Sequence, residues 1–269
     1  MANLRLIGAG LVLPAVLWSC GGVESSGDPD SGAKQASQTT SQPTSPVTSQ
    51  PEKPAEPASR PEEKPVEKPV EKPEAKAHPA LTNPDLARET APAKFRARFD
   101  TSKGPFVIEA VREWSPNGVD RLYNLIKIGY FTDIACFRAV PGFVVQFGMH
   151  GDPDINAHWS GDKIMDDPVL QSNRRGYLTF AMAGKDTRSN QLFVNLSDKN
   201  SRLDEMGFPA IARVVEGMAI VDSLYNGYGD GPPYGRGPQQ GLIQSQGNDY
   251  LKRAFPKLDY ITSASLLED

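Results

Sequence analysis

Proline is concentrated at the start of this chain, and that distribution limits which residues can form a folded core. Many of the 24 prolines lie before residue 93, where large apolar residues are nearly absent beyond position 23. From Glu63 to Pro73 the unit Glu-Lys-Pro recurs with a four-residue period. Because proline lacks a backbone donor and disfavours helix, we predict that residues 20–92 form a disordered, extended tether. The folded domain is then expected to occupy residues 93–269.

The tether nearly balances its acidic and basic residues, so we do not expect it to bind surfaces of one charge strongly. Its simplest role is to hold the folded domain away from a membrane. A proline-rich docking ligand for another protein is the alternative.

The first twenty residues resemble an export signal that ends in a lipid attachment site. A basic segment containing Arg5 precedes an apolar stretch from Leu6 to Trp18, which is short for a bilayer span. Leu17-Trp18-Ser19-Cys20 is similar to a bacterial lipobox, which implies cleavage before Cys20 and a lipid on its thiol. We therefore expect residues 1–19 to be a lipoprotein signal peptide and the mature chain to be lipid-anchored in the cell envelope, at the outer membrane or a periplasm-facing membrane. An ordinary signal peptide with a coincidental cysteine is the alternative.

Charge and cysteine content narrow the class of protein further. The formal net charge is -4 and the pI is near 5.5, whereas nucleic-acid-binding proteins usually show a basic patch or a high pI. The contexts of Cys20 and Cys136 differ so much that a disulfide between them is not expected. Cys136 lies in an apolar strand pattern and is predicted to be a small buried side chain.

Short strands dominate the pattern of residues 93–269. Phe95, Ala97 and Phe99 alternate with charged residues before a turn near Gly104, which predicts a hairpin. Ser115-Pro116 predicts the start of a helix, with Ser115 as its N-cap. Many short strands with two main helices favour an antiparallel barrel over a doubly wound sheet. The other expected elements are strands at 134–147, 178–182 and 191–196, an acidic loop at 148–176, helices from 216 and near 248–255, and a last strand near 258–261.

Two polar side chains interrupt the apolar strand at 134–147. Arg138 lies between Phe137 and Ala139, and Gln146 follows Val145. Arginine is almost never fully buried unless it is paired. Arg138 is therefore either a charge at the rim that reaches water or a guanidinium held in a pocket for chemistry.

The segment from Phe137 to Gln146 is similar to the signature strand of cyclophilin-type peptidyl-prolyl isomerases. The segments 176–184 and 189–195 resemble the next two motifs of that family, and 203–204 and 213–218 resemble later ones. The resemblance covers about residues 94–226. It implies a mainly β fold, a closed eight-stranded antiparallel barrel with two capping helices.

The resemblance also implies a set of site residues and no cofactor or metal. Arg138, Phe143 and Gln146 are the implied catalytic residues, and Phe143, Phe193 and Leu203 the implied proline pocket. The implied substrate-binding residues are Val144, Ala181, Met182, Ala183, Gln191, Phe193, Leu203 and Phe208.

The activity implied is cis-trans isomerisation of X–Pro bonds, which we expect to assist the folding of exported proteins. The partners expected are proline-containing polypeptides and, through the lipid, the membrane. The tether slightly favours a monomer. A groove that binds proline peptides as a chaperone or scaffold, with little catalysis, is the alternative function.

The sequence departs from the family pattern at four positions. Phe137 replaces the histidine that often precedes the arginine, and Phe208 lies near a position that histidine often occupies. Met182 stands where an asparagine commonly hydrogen-bonds the substrate backbone. Arg202 lies near the position of a tryptophan associated with cyclosporin binding, which predicts weak sensitivity to that drug.

The acidic loop could in principle bind a metal. Its candidate ligands are His150, Asp152, Asp154, His158 and Asp162. Their spacing matches no compact zinc pattern, and Asp-Pro and Gly-Asp pairs are common in turns. We therefore predict no metal site in this loop.

Overall fold

A computed structural model of the protein describes residues 77–268. The predicted signal peptide, Cys20 and most of the predicted tether lie outside the described residues. No helix among residues 77–268 combines the length and the apolar character that a bilayer crossing needs.

The described part of the chain is mainly antiparallel β-structure with short helices, as predicted. The strands are β1 (Lys94–Thr101), β2 (Gly104–Val111), β3 (Ile134–Ala135), β4 (Arg138–Val140), β5 (Val144–Phe147), β6 (Tyr177–Phe180), β7 (Leu192–Asn195), β8 (Ala210–Glu216) and β9 (Tyr260–Leu267). The helices are α1 (Pro116–Lys127), α2 (Pro153–Gly161), α3 (Arg202–Glu205), α4 (Met218–Ser223) and α5 (Gln240–Ala254). Short 3-10 helices occur at Pro79–Leu81, Pro84–Leu86, Arg112–Trp114 and Asp198–Ser201.

The strands form one curled sheet whose two edges are joined by only two residues. Its nine strands run in the order β3-β9-β1-β2-β8-β6-β7-β5-β4. Cys136 and Phe137 connect the edge strands β3 and β4, so the edges lie within the reach of a very short link. The expected closed eight-stranded barrel is corrected to a nine-stranded sheet that is not fully closed. The reason is that the segment from Ile134 splits, with β3 pairing with β9 and β4 pairing with β5.

The core of the sheet is built from alternating side chains of the predicted hairpin. Phe95, Ala97 and Phe99 are buried on β1, and charged residues alternate with them. Phe99 stacks on Phe106 of β2, with ring centroids 5.1 Å apart. Burial of such apolar area is the main stabilising term of the fold.

The chain after residue 226 adds a second apolar cluster that covers the junction of β3 and β4. The buried members from that part of the chain are Ile243, Tyr250, Leu251 and Leu258, and they pack against Ala135, Phe137 and Met149. Phe137 is therefore explained as a core residue beneath this extension. The predicted last strand is confirmed as β9, which pairs with both β1 and β3.

Residues 77–92 correct the predicted boundary between tether and domain. Ala80, Ala87 and Ala91 are buried in the main core. The Trp159 indole N–H lies 3.0 Å from the Leu81 carbonyl oxygen, to which it donates. Proline at the start of each 3-10 helix in this segment initiates structure. The prolines at these positions therefore begin helices, although the proline content of the segment suggested disorder.

The acidic loop contains a helix that the sequence pattern did not predict. Asp152 caps α2 by accepting a hydrogen bond from the Asp154 backbone N–H at 2.8 Å. Asp162 pairs with Arg88 and with the buried Arg121. Within residues 77–268 no group of three or more histidine, cysteine or acidic side chains is placed to hold a metal ion.

Ser115 is the N-cap residue of α1, as predicted, but the helix is capped by a carboxylate from a distant part of the chain. The Ser115 hydroxyl makes no cap bond to the helix and instead donates to Asp167 at 2.6 Å. The Asp167 carboxylate accepts hydrogen bonds from the backbone N–H groups of Asn117 and Gly118, at 3.2 and 3.0 Å. An anion at this end of the helix is favoured by the helix dipole.

Candidate active site

A tight hairpin between β4 and β5 sets the position of the candidate catalytic residues. Pro141 and Gly142 form its turn, in which Phe143 N–H donates to the Val140 carbonyl at 3.0 Å. Gly142 has a φ of 71°, which suits the third position of a type II turn. The register places Arg138 opposite Gln146, with both side chains on the same face of the pair.

The guanidinium of Arg138 is held on two sides. Its Nη1 donates to Gln146 Oε1 at 3.1 Å, and Gln146 Nε2 donates to Gln191 Oε1 at 2.9 Å. On the other side Nε and Nη2 donate to the two carboxylate oxygens of Asp230, at 2.8 and 2.7 Å. The Arg138 side chain is 13% exposed. This geometry favours a guanidinium held in a pocket over a charge that reaches out to water.

Phe143 joins the arginine to the apolar part of the site. Its half-buried ring lies 5.5 Å from the Arg138 guanidinium carbon and 5.4 Å from that of Arg202. Its carbonyl oxygen accepts hydrogen bonds from Leu196 N–H and from Asn200 Nδ2, each at 2.8 Å. Hydrogen bonds therefore hold the backbone of Phe143 in place, and two guanidinium groups lie near its ring.

A separate apolar cluster brings together Phe143, Phe193 and Leu203, the three residues of the predicted proline pocket. Val144, Phe193 and Leu203 are its buried members. Phe143, Ala181 and Phe208 pack against them and are partly buried. Phe193 and Phe208 meet edge to face with ring centroids 5.9 Å apart.

The sequence pattern did not predict the buried polar network that lies beneath this cluster. The Asn173 side chain accepts from Thr179 at 2.9 Å and from Asn195 Nδ2 at 3.1 Å. Asn195 in turn accepts from Asn200 at 2.7 Å. The network runs from the strands to the Phe143 carbonyl. Asparagine is uncommon in strands, so Asn195 directly after Val194 was the available signal.

The same network fixes the segment that carries Leu203 and Phe208. Asn173 Nδ2 donates to the Phe208 carbonyl and to Asp204, each at 2.8 Å. Burial tends to raise the pKa of Asp204, but hydrogen bonds from Ser172 and Asn173 outweigh it and hold the pKa below its usual value. The carboxylate thus stays charged and keeps α3 against the pocket.

The remaining predicted substrate-binding residues lie at the end of β6. Ala181 N–H donates to the Gln191 carbonyl at 2.9 Å, which places it beside the Arg138–Gln146–Gln191 chain. Met182 is half-buried, near the backbone of Gly207. Ala183 is exposed and its N–H donates to Thr187 Oγ1 at 2.9 Å. The backbone contact of Ala183 with Thr187 therefore lies away from both the arginine and the apolar cluster.

Cys136 is buried, as predicted, and is not part of the site. Burial raises the pKa of its thiol to about 12. A thiol with so high a pKa is protonated at neutral pH, so it is a poor nucleophile.

Comparison with known proteins gives one family. Residues 96–240 match the family model described as cyclophilin type peptidyl-prolyl cis-trans isomerase/CLD. Peptidyl-prolyl cis-trans isomerase ppi1 of Schizosaccharomyces pombe is 35% identical over 133 residues, 47% of this chain and 82% of that protein. Peptidyl-prolyl cis-trans isomerase-like 2 of Gibberella zeae is 29% identical over 138 residues, 50% of this chain and 24% of that longer protein. A solved Cryptosporidium parvum cyclophilin type isomerase has a TM-score of 0.49 and 16% identity, covering 65% of this chain and 99% of that one.

Proposed function

The chain belongs to the cyclophilin-type peptidyl-prolyl cis-trans isomerase family, and on that premise we propose that it isomerises X–Pro bonds in the groove beside Arg138. One observation carries the proposal. A guanidinium fixed by Gln146 stands next to an apolar cluster of Val144, Phe193 and Leu203, with Phe143 between them. A hydrogen-bond donor and an apolar surface for the proline ring are the two features that this reaction needs.

The chemistry follows from the electronic structure of the amide. Rotation about the bond before proline has a barrier of about 18–20 kcal/mol because the resonance of the amide must be broken. In the twisted state the nitrogen regains its lone pair, so an N–H of Arg138 can donate to it there and not in the planar ground state. Such an interaction favours the transition state selectively and accelerates the step. The apolar cluster holds the proline ring while the preceding carbonyl rotates.

A protease-coupled assay on an Ala-Pro peptide tests this proposal. Arg138→Ala should lower the catalysed rate at least about tenfold, which corresponds to about 1.4 kcal/mol of transition-state stabilisation. Arg213→Ala is the matched control, because Arg213 is on β8 and pairs with Glu109 at the surface. Equal rates for wild type and Arg138→Ala would refute the assignment of Arg138.

A peptide-binding module with little catalysis is the second candidate. Two observations favour it, the carboxylate of Asp230 on the guanidinium and Met182 at a position where the family commonly has an asparagine. Binding of the Ala-Pro peptide without any acceleration by the wild-type protein would support this candidate over the isomerase.

We further propose that the protein acts on exported polypeptides while anchored in the cell envelope through a lipid on Cys20. The support is the sequence pattern of residues 1–20 and the proline-rich segment that follows it. The fungal relatives bear on the isomerase domain alone. Mass spectrometry of the mature N-terminus should find a lipid-modified Cys20, and Cys20→Ser should abolish the modification. An unmodified cysteine would refute the anchor.

A further inference from the structure

Asp230 contacts the candidate catalytic arginine from a part of the chain outside the motifs that suggested the family. It lies between α4 and α5, far along the chain from Arg138 on β4. Both of its carboxylate oxygens accept from the guanidinium, at 2.8 Å from Nε and 2.7 Å from Nη2. The two side chains are 17% and 13% exposed, so this pair is more shielded from solvent than a surface ion pair.

The loop around Asp230 holds the carboxylate in place. One carboxylate oxygen also accepts from the Gly231 N–H at 2.8 Å, and the Asp230 carbonyl accepts from the Gly237 N–H at 2.7 Å. A Cβ added at Gly235 would lie 2.2 Å from that same carbonyl oxygen, so the close approach requires glycine. The loop thus closes tightly on Asp230 and orients it toward β4.

The hydrogen bonds of Arg138 leave part of the guanidinium available. A guanidinium has five N–H donors in one plane. Asp230 takes two of them and Gln146 takes one. Within residues 77–268 no hydrogen bond uses the other two. A bidentate carboxylate fixes the plane of the group as well as its position.

We infer that Asp230 is a positioning residue, which holds the Arg138 guanidinium so that its two remaining N–H groups face the bound prolyl bond. The inference rests on the proposed isomerase function. Arginine has many rotamers, and a donor that is already fixed loses less entropy when the twisted substrate forms. In this role Asp230 acts through Arg138 rather than on the substrate directly.

The alternative physical effect has the opposite sign. A carboxylate also offsets the positive charge of the guanidinium and could compete with the substrate for its donors. If competition dominated, removing the carboxylate would increase the catalysed rate. The direction of the change therefore distinguishes positioning from inhibition.

The test compares Asp230→Ala and Asp230→Asn with wild type in the full chain. Asp230→Asn keeps an acceptor for Gly231 N–H but loses the charge and one acceptor for the guanidinium. The matched control is Asp222→Ala, which removes a bidentate partner of Arg175 at the surface. The pair lines a cavity of about 270 Å³, so truncation of Asp230 does not open a void in the packed core.

The readout separates catalysis from binding. At saturating Ala-Pro peptide, NMR exchange should show a catalysed rate about tenfold lower for Asp230→Ala and less reduced for Asp230→Asn, with peptide affinity nearly unchanged. Asp222→Ala should match wild type. In an Arg138→Ala background, Asp230→Ala should have no further effect on the rate, because both changes remove the same interaction.

Three outcomes would overturn the inference. Equal rates for wild type and both Asp230 variants would show that the pair is only structural, and higher rates would show that the carboxylate inhibits. A loss of peptide affinity that accounts for the whole decrease in rate would show that Asp230 contributes to substrate binding instead of positioning Arg138. If Asp230→Ala does not fold, Asp230→Asn decides the matter alone. An inactive wild type that still binds peptide would refute the proposed function itself, which is a different result.

Discussion

At the scale of single residues, the candidate site combines the Arg138–Gln146–Gln191 hydrogen-bond chain with an apolar cluster, and neighbouring groups hold each of them in place. Gln146 and Asp230 hold Arg138, and two donors hold the carbonyl of Phe143. The sequence resemblance predicted Arg138, Gln146 and the apolar side chains as site residues, because their motifs are local in the chain. It could not identify Asp230, since nothing in a glycine- and proline-rich loop indicates which strand the loop will meet.

Asn200 offers a test of the buried network at this scale. Asn200→Ala should reduce the free energy of unfolding by about 1–3 kcal/mol, because the Asn195 side-chain oxygen and the Phe143 carbonyl each lose a donor. It should also reduce isomerase activity, because Phe143 is held less firmly. Urea unfolding and the peptide assay measure the two effects. Lys199→Ala, at the exposed neighbouring position, should change neither, and an equal effect at Lys199 would contradict the role given to the network.

At the scale of secondary structure, local sequence patterns predicted the strands and α1. The contacts that cap or end these elements come from residues far along the chain, so local patterns could not predict them. The alternation in β1 and the proline at the start of α1 are visible in the sequence. The cap of α1 is not, because Asp167 is far along the chain from Ser115 and Gly118. Helix α2 was missed for a different reason. Its weakly amphipathic residues lie among Asp-Pro and Gly-Asp pairs that equally suit a turn.

The cap of α1 predicts a dependence of stability on pH. Burial tends to raise the pKa of Asp167, but hydrogen bonds from Ser115, Gly118, Arg188 and Asn117 outweigh it and hold the pKa below its ordinary value of 3.8. A group whose pKa is lower in the folded state contributes stability above its unfolded pKa, and this contribution is lost as the pH falls through the folded pKa. The free energy of unfolding should therefore fall as the medium is acidified below about pH 4.

Asp167→Asn separates this contribution from those of other carboxylates. The variant should be less stable than wild type at neutral pH, and the difference should shrink on acidification. Urea unfolding at a series of pH values measures both quantities. A difference that stays constant, or grows, as the pH falls would contradict the assigned role of the carboxylate.

At the scale of the whole molecule, the folded part begins earlier than composition suggests. Residues 77–92 pack three alanines into the core and supply acceptors to Trp159. The proline content and the lack of large apolar residues suggested a tether here, but proline also suits the first position of a short helix, and small alanines can pack into the core. The extension after residue 226 likewise belongs to the fold, because β9 pairs with β1 and β3.

A pair of substitutions tests this boundary. Ala80 is fully buried, whereas Leu86 is 58% exposed. Ala80→Glu should therefore reduce the free energy of unfolding by on the order of 3 kcal/mol, since it buries a charge without a partner. Leu86→Glu should be nearly neutral, although leucine is the more hydrophobic residue. Thermal or urea unfolding of the full chain measures the stability of both variants. Equal and small losses of stability would indicate that residues 77–92 belong to the tether.

The proposed isomerase activity is tested most directly by the rate at which the protein interconverts the cis and trans forms of an Ala-Pro peptide. NMR exchange spectroscopy measures this rate without a coupled protease. Exchange cross-peaks are expected with wild type, and at least about a tenfold lower rate is expected with Arg138→Ala at equal peptide saturation. Arg138→Lys should also be impaired, because an ammonium cannot reproduce the planar fork. Undiminished exchange with Arg138→Ala would contradict the catalytic role of Arg138.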